Sequence, residues 1–264
     1  MKLSRYRPNA PRVRLGIAVA TAAGLLVALP FSAQAAQPPV GLGTAASYAV
    51  LAGSTVTNTR TPIISGDLGV SPGSAVVGFP PGIVTNGTQH VADAAALKAQ
   101  TDLIVAYDDA AGRTPATAIP VELGGQTLKP GVYSGGTFGL TGRLTLDAGG
   151  DPSAVFIFRS ASTLITGSTS RVNLINGASS CNVFWQVTSS ATIGANSFFT
   201  GTIMALTDIS LKVGAKIDGR VLARNGAVTM IDDIIRATPC TTSAVPPTPI
   251  PPPTPPPPAP STAP

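Results

Sequence analysis

The chain has 264 residues, with 17 lysine and arginine side chains against 12 aspartate and glutamate side chains, a formal net charge of +5. Five of these cations lie between Met1 and Arg14, and without them the basic and acidic side chains are equal in number. The basic excess is therefore no sign of a nucleic acid or an anionic membrane as partner. Charged residues are only 11% of the chain, which predicts a surface of small, weakly charged side chains.

Residues 1–35 are typical of a secretory signal. A basic start precedes the uncharged apolar run Leu15–Leu29, and Ala33-Gln34-Ala35 supplies a small-x-small cleavage site. The apolar run is shorter than the ~20 residues that span a bilayer comfortably. We expect a protein that is secreted or displayed at the cell surface, with no membrane contact after cleavage; the alternative is a retained N-terminal anchor.

One helix is predicted at about 89–111, within the domain 36–240. This stretch lacks glycine and proline, Thr88 is a candidate N-cap, and Gly112 is a natural stop. Small apolar residues recur at spacings of three and four and form one stripe: Ala92, Ala96, Ala99, Leu103, Ala106 and Ala110. Charged residues fall away from the stripe, which predicts that the helix packs along one side of the domain.

The segments after the helix have a repeat. Phe199–Asp208 is echoed by Ile217–Gly226, with apolar, glycine, β-branched and alanine positions recurring at the same offset. A period of about 20 residues built from short strands is typical of a solenoid, in which each coil buries its apolar side on the next. The sequence therefore predicts a mainly β fold, a β-helix with flat walls.

The predicted strands are of two types. Some, such as Val183–Trp185 and Ile203–Leu206, are apolar on both sides and must be covered on both. Because the helix is the evident cover, we expect these strands beneath it, with Trp185 buried.

The second type alternates apolar and hydroxyl-bearing residues, so that Thr192, Ser210 and Thr229 point outward. Each of the three follows the previous one by the length of a single coil, so they should form a column on an exposed wall. Thr163 or Thr166 is expected to extend the column, with a slip of one position in register.

Cys181 and Cys240 form an even pair in a chain expected to be secreted, which predicts a disulfide; two free thiols are the alternative. Closing this loop would contribute roughly 4 kcal/mol and would tie down the end of the solenoid. Beyond Cys240, residues 241–264 form a proline-rich, uncharged tail, typical of an extended, semi-rigid spacer.

Several motifs resemble the secreted microbial ice-binding protein family, in the same order from Leu42 to Cys240. They are Ala99–Asp102, Ala106–Asp108, Leu128–Tyr133, Leu144–Ala148, Ala154–Phe158, Cys181–Val187 and Gly219–Thr229. The resemblance implies a right-handed discontinuous β-helix of roughly triangular section with one long helix alongside. It also implies an antifreeze-like protein that adsorbs to ice or ordered water through a flat wall bearing Thr and Ser.

Thr166-Gly167-Ser168-Thr169 is similar to the short T-A/G-x-T/N repeats of active members. The candidate ice-contacting residues are therefore Thr163, Thr166, Thr169, Thr192, Ser210 and Thr229. Lys212 lies two positions from Ser210, where a charge would disturb ordered water. The alternative is that Thr and Ser occupy exposed strand positions only because they suit strands.

Catalysis finds little support in the sequence, and no cofactor or metal is expected. His90 is the only histidine, and the pairs Asp108-Asp109 and Asp232-Asp233 point to opposite sides as sequence neighbours. The competing hypothesis is a cell-surface or matrix adhesion domain without ice activity, with a polysaccharide as a candidate target. An exposed Trp185 would favour that hypothesis.

Overall fold

The computed structural model describes residues 37–240. The predicted signal 1–35 and the proline-rich tail 241–264 lie outside the described residues. In the described part, one helix, α1 (Ala94–Gly112), interrupts a series of short strands. The strands before it are β1 (Tyr48–Ala52), β2 (Thr55–Thr59), β3 (Ile63–Ser65), β4 (Asp67–Val70), β5 (Ala75–Val77), β6 (Ile83–Thr85) and β7 (Gln89–Val91).

The strands after the helix form the larger part of the fold. They are β8 (Thr117–Ala118), β9 (Thr127–Leu128), β10 (Gly131–Gly135), β11 (Phe138–Leu140), β12 (Arg143–Asp147), β13 (Phe156–Ser160), β14 (Leu164–Thr166), β15 (Arg171–Ile175), β16 (Val183–Val187), β17 (Ala191–Ile193), β18 (Phe198–Ala205), β19 (Ile209–Leu211), β20 (Lys216–Ala223), β21 (Val228–Ile231) and β22 (Ile234–Arg236). Two 3-10 turns, Gly43–Ser47 and Ser180–Asn182, complete the elements.

The strands pair in parallel and build three walls of a β-helix. The helix-side wall has the order β8-β10-β13-β16-β18-β20-β1-β4-β7. The seven-strand wall has the order β11-β14-β17-β19-β21-β2-β5. The third wall has the order β9-β12-β15-β18-β20-β22-β3-β6; the first halves of β18 and β20 belong to it and their second halves to the helix-side wall.

The β-helix is discontinuous in sequence. The N-terminal coils stack on the last C-terminal coil, because β1 pairs with β20, β2 with β21 and β3 with β22. As a result β7 and β8 lie at opposite ends of the helix-side wall, about 38 Å apart at ~4.8 Å per strand. The 19 residues of α1 span about 29 Å of this distance, and the short segments on either side of the helix, 92–93 and 113–116, complete the crossing from one end to the other.

The helix begins later than predicted. Asp93 is the N-cap and its Oδ1 accepts the N–H of Ala96 at 2.8 Å, so the prediction of Thr88 as cap was wrong. Residues 89–91 are extended because they pair with β4, and Ala92 turns the chain with a φ of 49°. Within the helix the predicted stripe is confirmed: its alanines and Leu103 are fully buried, while Ala92 lies outside it and is exposed.

The central strands of the helix-side wall are apolar on both sides, as predicted. Its outward residues pack against Leu103 and Tyr107 of α1; they include Leu51, Val132, Ile157, Phe184, Met204 and Leu222. Its inward residues form an aromatic row in the interior, where Phe158 stacks on Trp185 with ring centroids 4.0 Å apart. Trp185 is 1% exposed and its Nε1 donates to the Thr200 carbonyl at 3.0 Å, so the prediction that it is buried is confirmed.

Cys181 and Cys240 form the predicted disulfide, with their Cα atoms 5.6 Å apart. The bond joins the 3-10 turn before β16 to the segment after β22, which ties down the last coil. Over a sequence separation of 59 residues the chain-entropy contribution is about 4 kcal/mol. Across residues 37–240, no helix is both long and apolar enough to span a bilayer.

Candidate functional site

The seven-strand wall has no helix over it, and one residue of each strand forms a central outward column. Strand pairing aligns Gly139 with Ile165, Ile165 with Thr192, Thr192 with Ser210, Ser210 with Thr229, Thr229 with Thr57, and Thr57 with Val77. Four consecutive members bear hydroxyls, and we call Thr192, Ser210, Thr229 and Thr57 the hydroxyl column. Exposed apolar side chains follow at each end, Ile165 at 51% and Val77 at 54% exposure.

The strands that carry the hydroxyl column pack their inward residues into the interior of the β-helix. Each member of the column lies between two inward residues, of which those in β17, β19 and β21 are no more than 1% exposed. Period-two alternation in these three strands is therefore as predicted. Because the backbone is paired on both sides and the inner residues are close-packed, the positions of the outward Cβ atoms are rigid.

The hydroxyls in the column are close enough to order one another. Thr229 Oγ1 donates to Ser210 Oγ at 3.1 Å across the two strands. At the edge of the wall, Ser190 Oγ and Thr207 Oγ1 are 2.7 Å apart. These contacts favour particular hydroxyl orientations and leave the remaining lone pairs free for water.

Thr166, one of the predicted site residues, is buried in the structure. Thr166 is 4% exposed and its Oγ1 accepts the N–H of Gly194 at 2.8 Å, so its inclusion as an exposed residue was wrong. The reason is strand parity: Leu164 and Thr166 point inward, and the outward residue between them is Ile165. The hydroxyl column therefore ends at Thr192 on this side.

The other two predicted residues of this region lie at corners. Thr163 is half-buried just before β14, and its carbonyl accepts the Phe138 N–H. Thr169 is exposed in the turn after β14, with a φ of 59° and its hydroxyl donating to the Ser168 carbonyl. Neither belongs to the central column, whereas Thr192, Ser210 and Thr229 do.

Thr57 is the column member that sequence reasoning missed. It lies in the N-terminal region, far in sequence from the other three, and joins them only because β2 pairs with β21. The signal was present in the segment Thr55–Thr59, where threonine occupies every second position and the intervening Val56 and Asn58 are buried. Thr55 and Thr59 share the outward side and add hydroxyls beside the column.

Charges lie beside the column and not within it. Asp208 is exposed at one edge, where its Oδ1 accepts the Ala227 N–H at 2.8 Å and holds a turn. Lys212 is exposed two positions after Ser210, as the sequence indicated.

A buried acid lies between β21 and β22. Asp233 is fully buried there and accepts the N–H groups of Ala215 and Ile231 at 2.8 and 2.7 Å. Burial raises the pKa of Asp233 to about 7, although these two hydrogen bonds favour ionisation.

The residues considered for catalysis have structural contacts. His90 Nδ1 lies 2.8 Å from Asp93 Oδ2 and its Nε2 lies 2.8 Å from Thr88 Oγ1, which together order the start of α1. The Ala96 N–H and then the His90 ring lower the pKa of Asp93. Asp108 pairs with Arg224 and Asp109 with Arg113. Within residues 37–240 no group of three or more His, Cys, Asp or Glu side chains could hold a metal ion.

The sequence that forms this β-helix, its covering helix and its hydroxyl-bearing wall is similar to ice-binding proteins. Residues 50–236 match the family model described as ice-binding-like. The chain is 52% identical over 192 residues to an ice-binding protein of Nostoc sp. (strain HG1), covering 72% of this chain and 71% of that relative.

Solved structures agree with this assignment. The crystal structure of an ice-binding protein from an Antarctic biological consortium has a TM-score of 0.75 and 47% identity, over 76% of this chain and 92% of that one. That of an ice-binding protein from the Antarctic ascomycete Antarctomyces psychrotrophicus has a TM-score of 0.73 and 37% identity, over 76% and 100%. The chain belongs to the ice-binding-like family, and the family resemblance and β-helix predicted from its sequence are confirmed.

Proposed function

We propose that this protein binds ice through the seven-strand wall, with the hydroxyl column at the centre of the contact. Its family membership and the names of its relatives support ice as the ligand. The observation that carries the choice of wall is the uncharged run of Thr192, Ser210, Thr229 and Thr57 on consecutive strands, continued by exposed Ile165 and Val77.

An ice surface is a rigid lattice of water, so a complementary protein surface must be rigid, flat and weakly hydrated. Parallel strands set the hydroxyls at intervals of ~4.8 Å along the column, and each hydroxyl can anchor one or more ordered waters. The threonine methyl groups and the flanking Ile and Val limit competing hydration because they form no hydrogen bonds. Because the column carries no charge, it does not hold water molecules strongly in orientations that differ from those in ice.

Adsorption of this kind acts by pinning a growing crystal front, which curves between bound molecules and stops advancing. Binding energy comes from many weak contacts that form together, so flatness over the whole wall matters more than any one hydroxyl. Such a protein acts where ice forms, and we propose that it is secreted or held at the cell surface, as its signal-like residues 1–35 predict.

The test is thermal hysteresis and ice-recrystallisation inhibition with the purified protein and its Thr192→Tyr and Ser210→Tyr variants. Thr145→Tyr is the matched control, since Thr145 is a half-buried outward residue on β12 of the third wall. We expect the wild type and the control to be active and both column variants to lose most of the activity, because a phenol ring lifts the wall away from the ice.

Activity that survives in both column variants would move the ice contact to another wall. A wild type inactive at micromolar concentration would overturn ice binding itself. The competing adhesion hypothesis gains no support from Trp185, which is buried and offers no platform for a sugar ring.

A further inference from the structure

The third wall carries a line of cations that the proposed function does not use. Strand pairing aligns Arg143 with Arg171, Arg171 with Phe198, and Phe198 with Lys216, one residue on each of β12, β15, β18 and β20. All four side chains are exposed, with Phe198 at 38%. We call these four residues the cationic column.

Phe198 holds two of the cations in place. The Arg171 guanidinium lies 4.2 Å from the ring centroid and the Lys216 ammonium 5.1 Å from it. Arg171 and Lys216 come from the strands on either side of Phe198, so two strands each supply a cation to the same ring. The cation–π contacts order long side chains that would otherwise be mobile, so their charges are fixed along the wall.

These cations are also available for a partner. Within residues 37–240, Lys98, Arg113, Lys129 and Arg224 each form an ion pair, whereas no ion pair is formed by Arg143, Arg171, Lys216 or the neighbouring Arg236. Arg236 lies with Phe198 and Lys216 on a groove of the same wall. Asp218 is the nearby acid on this groove, and its Oδ1 accepts the hydroxyl of Thr238 at 2.7 Å.

We propose that the cationic column binds an acidic polysaccharide, a chain of sugar acids lying along the axis of the β-helix. The cations lie on neighbouring strands at multiples of ~4.8 Å, over about 14 Å from Arg143 to Lys216. A linear polymer with one carboxylate on each sugar presents charges at comparable intervals, and guanidinium groups match carboxylates in a bidentate geometry.

The arrangement favours a polysaccharide over other polyanions. Single-stranded nucleic acid is bound by stacking bases on exposed aromatic faces, whereas the Phe198 ring is already in contact with two cations of this chain. A bilayer surface would engage a broad basic area, whereas these cations form one narrow line. Along the wall this line continues beyond Lys216 through Ile234 to the exposed apolar residues Ile63 and Ile83 of β3 and β6.

Binding on the third wall leaves the seven-strand wall free. The two columns lie on different walls, so a polymer held by Arg171 and Lys216 does not cover Ser210. A protein attached in this way would be retained in an acidic extracellular matrix while its hydroxyl column still faces the surrounding water.

The test is binding of the purified full chain to immobilised alginate, a polymer of sugar acids, at low and at physiological salt. The variant is Arg171→Gln combined with Lys216→Gln. The matched control is Arg60→Gln combined with Lys212→Gln, which removes two exposed cations elsewhere and changes the net charge equally. We expect salt-sensitive binding that is weakened roughly tenfold in the variant and is nearly unchanged in the control.

Several outcomes would overturn the proposal: no binding to alginate, an equal loss in the variant and its control, or tighter binding to a single-stranded DNA oligonucleotide or to anionic vesicles than to alginate. Neutral dextran should not compete. Thermal hysteresis of the Arg171→Gln/Lys216→Gln variant should equal that of the wild type, which separates this proposal from ice binding.

Discussion

The helix-side wall and the seven-strand wall are built by the same coils but meet opposite environments. Met204 on β18 is fully buried beneath α1, while Ser210, which follows it on β19, is only half-buried and faces outward. Both strands pair in parallel and both bury their inner residues. The difference is in the outward residues alone, apolar on one wall and hydroxyl-bearing on the other.

This difference separates stability from surface chemistry. On the helix-side wall, burying both sides of each strand adds the apolar area of α1 and of the outer residues to the hydrophobic contribution. On the seven-strand wall the outward residues contribute little to folding, so they are free to suit a ligand. Substitutions on the helix-side wall should therefore change the free energy of unfolding, whereas those on the seven-strand wall should change ice activity.

The largest effect is expected from Met204→Asp. The carboxylate would lie between the helix and the wall without a counter-charge, and we expect a loss of about 4 kcal/mol in the free energy of unfolding. Ser210→Asp is the matched control and should cost less than about 1 kcal/mol, since its side chain reaches solvent. Urea unfolding followed by circular dichroism measures both, and similar losses in the two variants would remove the distinction between the walls.

Thr57→Tyr should abolish most of the thermal hysteresis while leaving the unfolding midpoint nearly unchanged. Thr57 extends the hydroxyl column on β2, next to Thr229, so a ring there would obstruct the same flat contact as Ser210→Tyr. Full activity in this variant would restrict the ice contact to the C-terminal strands.

Asp233 should make stability fall as the pH rises from about 4 to 7. Burial raises its pKa to about 7 in the folded state, so the folded protein binds more protons than the unfolded chain in this window. Stability from the neutral acid is then fully present below pH 4 and is lost as the pH rises through 7, by up to about 4 kcal/mol. The difference in unfolding free energy between wild type and Asp233→Asn should change with pH in this sense; a constant difference would contradict the shift.

The smallest effect is expected from Lys212→Thr. Its strongly hydrated ammonium lies beside Ser210 at the edge of the column, and a threonine should let ordered water extend further. We expect a modest rise in recrystallisation inhibition, with Lys98→Thr on the helix as a control that changes the same charge and leaves the activity unaltered. A loss of activity in Lys212→Thr would indicate that the lysine contributes to the contact.

The pattern of Thr192, Ser210 and Thr229 was readable from the sequence because alternation and coil length are local properties. The same reasoning failed at Thr166, where a four-residue motif match concealed that Ile165 has the outward parity. It also predicted that the helix begins at about residue 89 with Thr88 as its N-cap, because the pairing of Gln89–Val91 with β4 depends on a strand in the preceding coil.

Local patterns predicted the period of the coils, the buried stripe of α1, the covered strands and the cysteine pair, since each follows from spacing or residue type along one stretch. The stacking of the N-terminal coils on the C-terminal one is visible only in the strand pairing of the folded chain. That stacking brings Thr57 beside Thr229, and strand pairing likewise aligns Arg171, Phe198 and Lys216 on one wall. Such register arises from pairing between segments that are distant in sequence. The free energy of burying a shared interior selects which segments pair, so a pattern within one segment does not predict its partner.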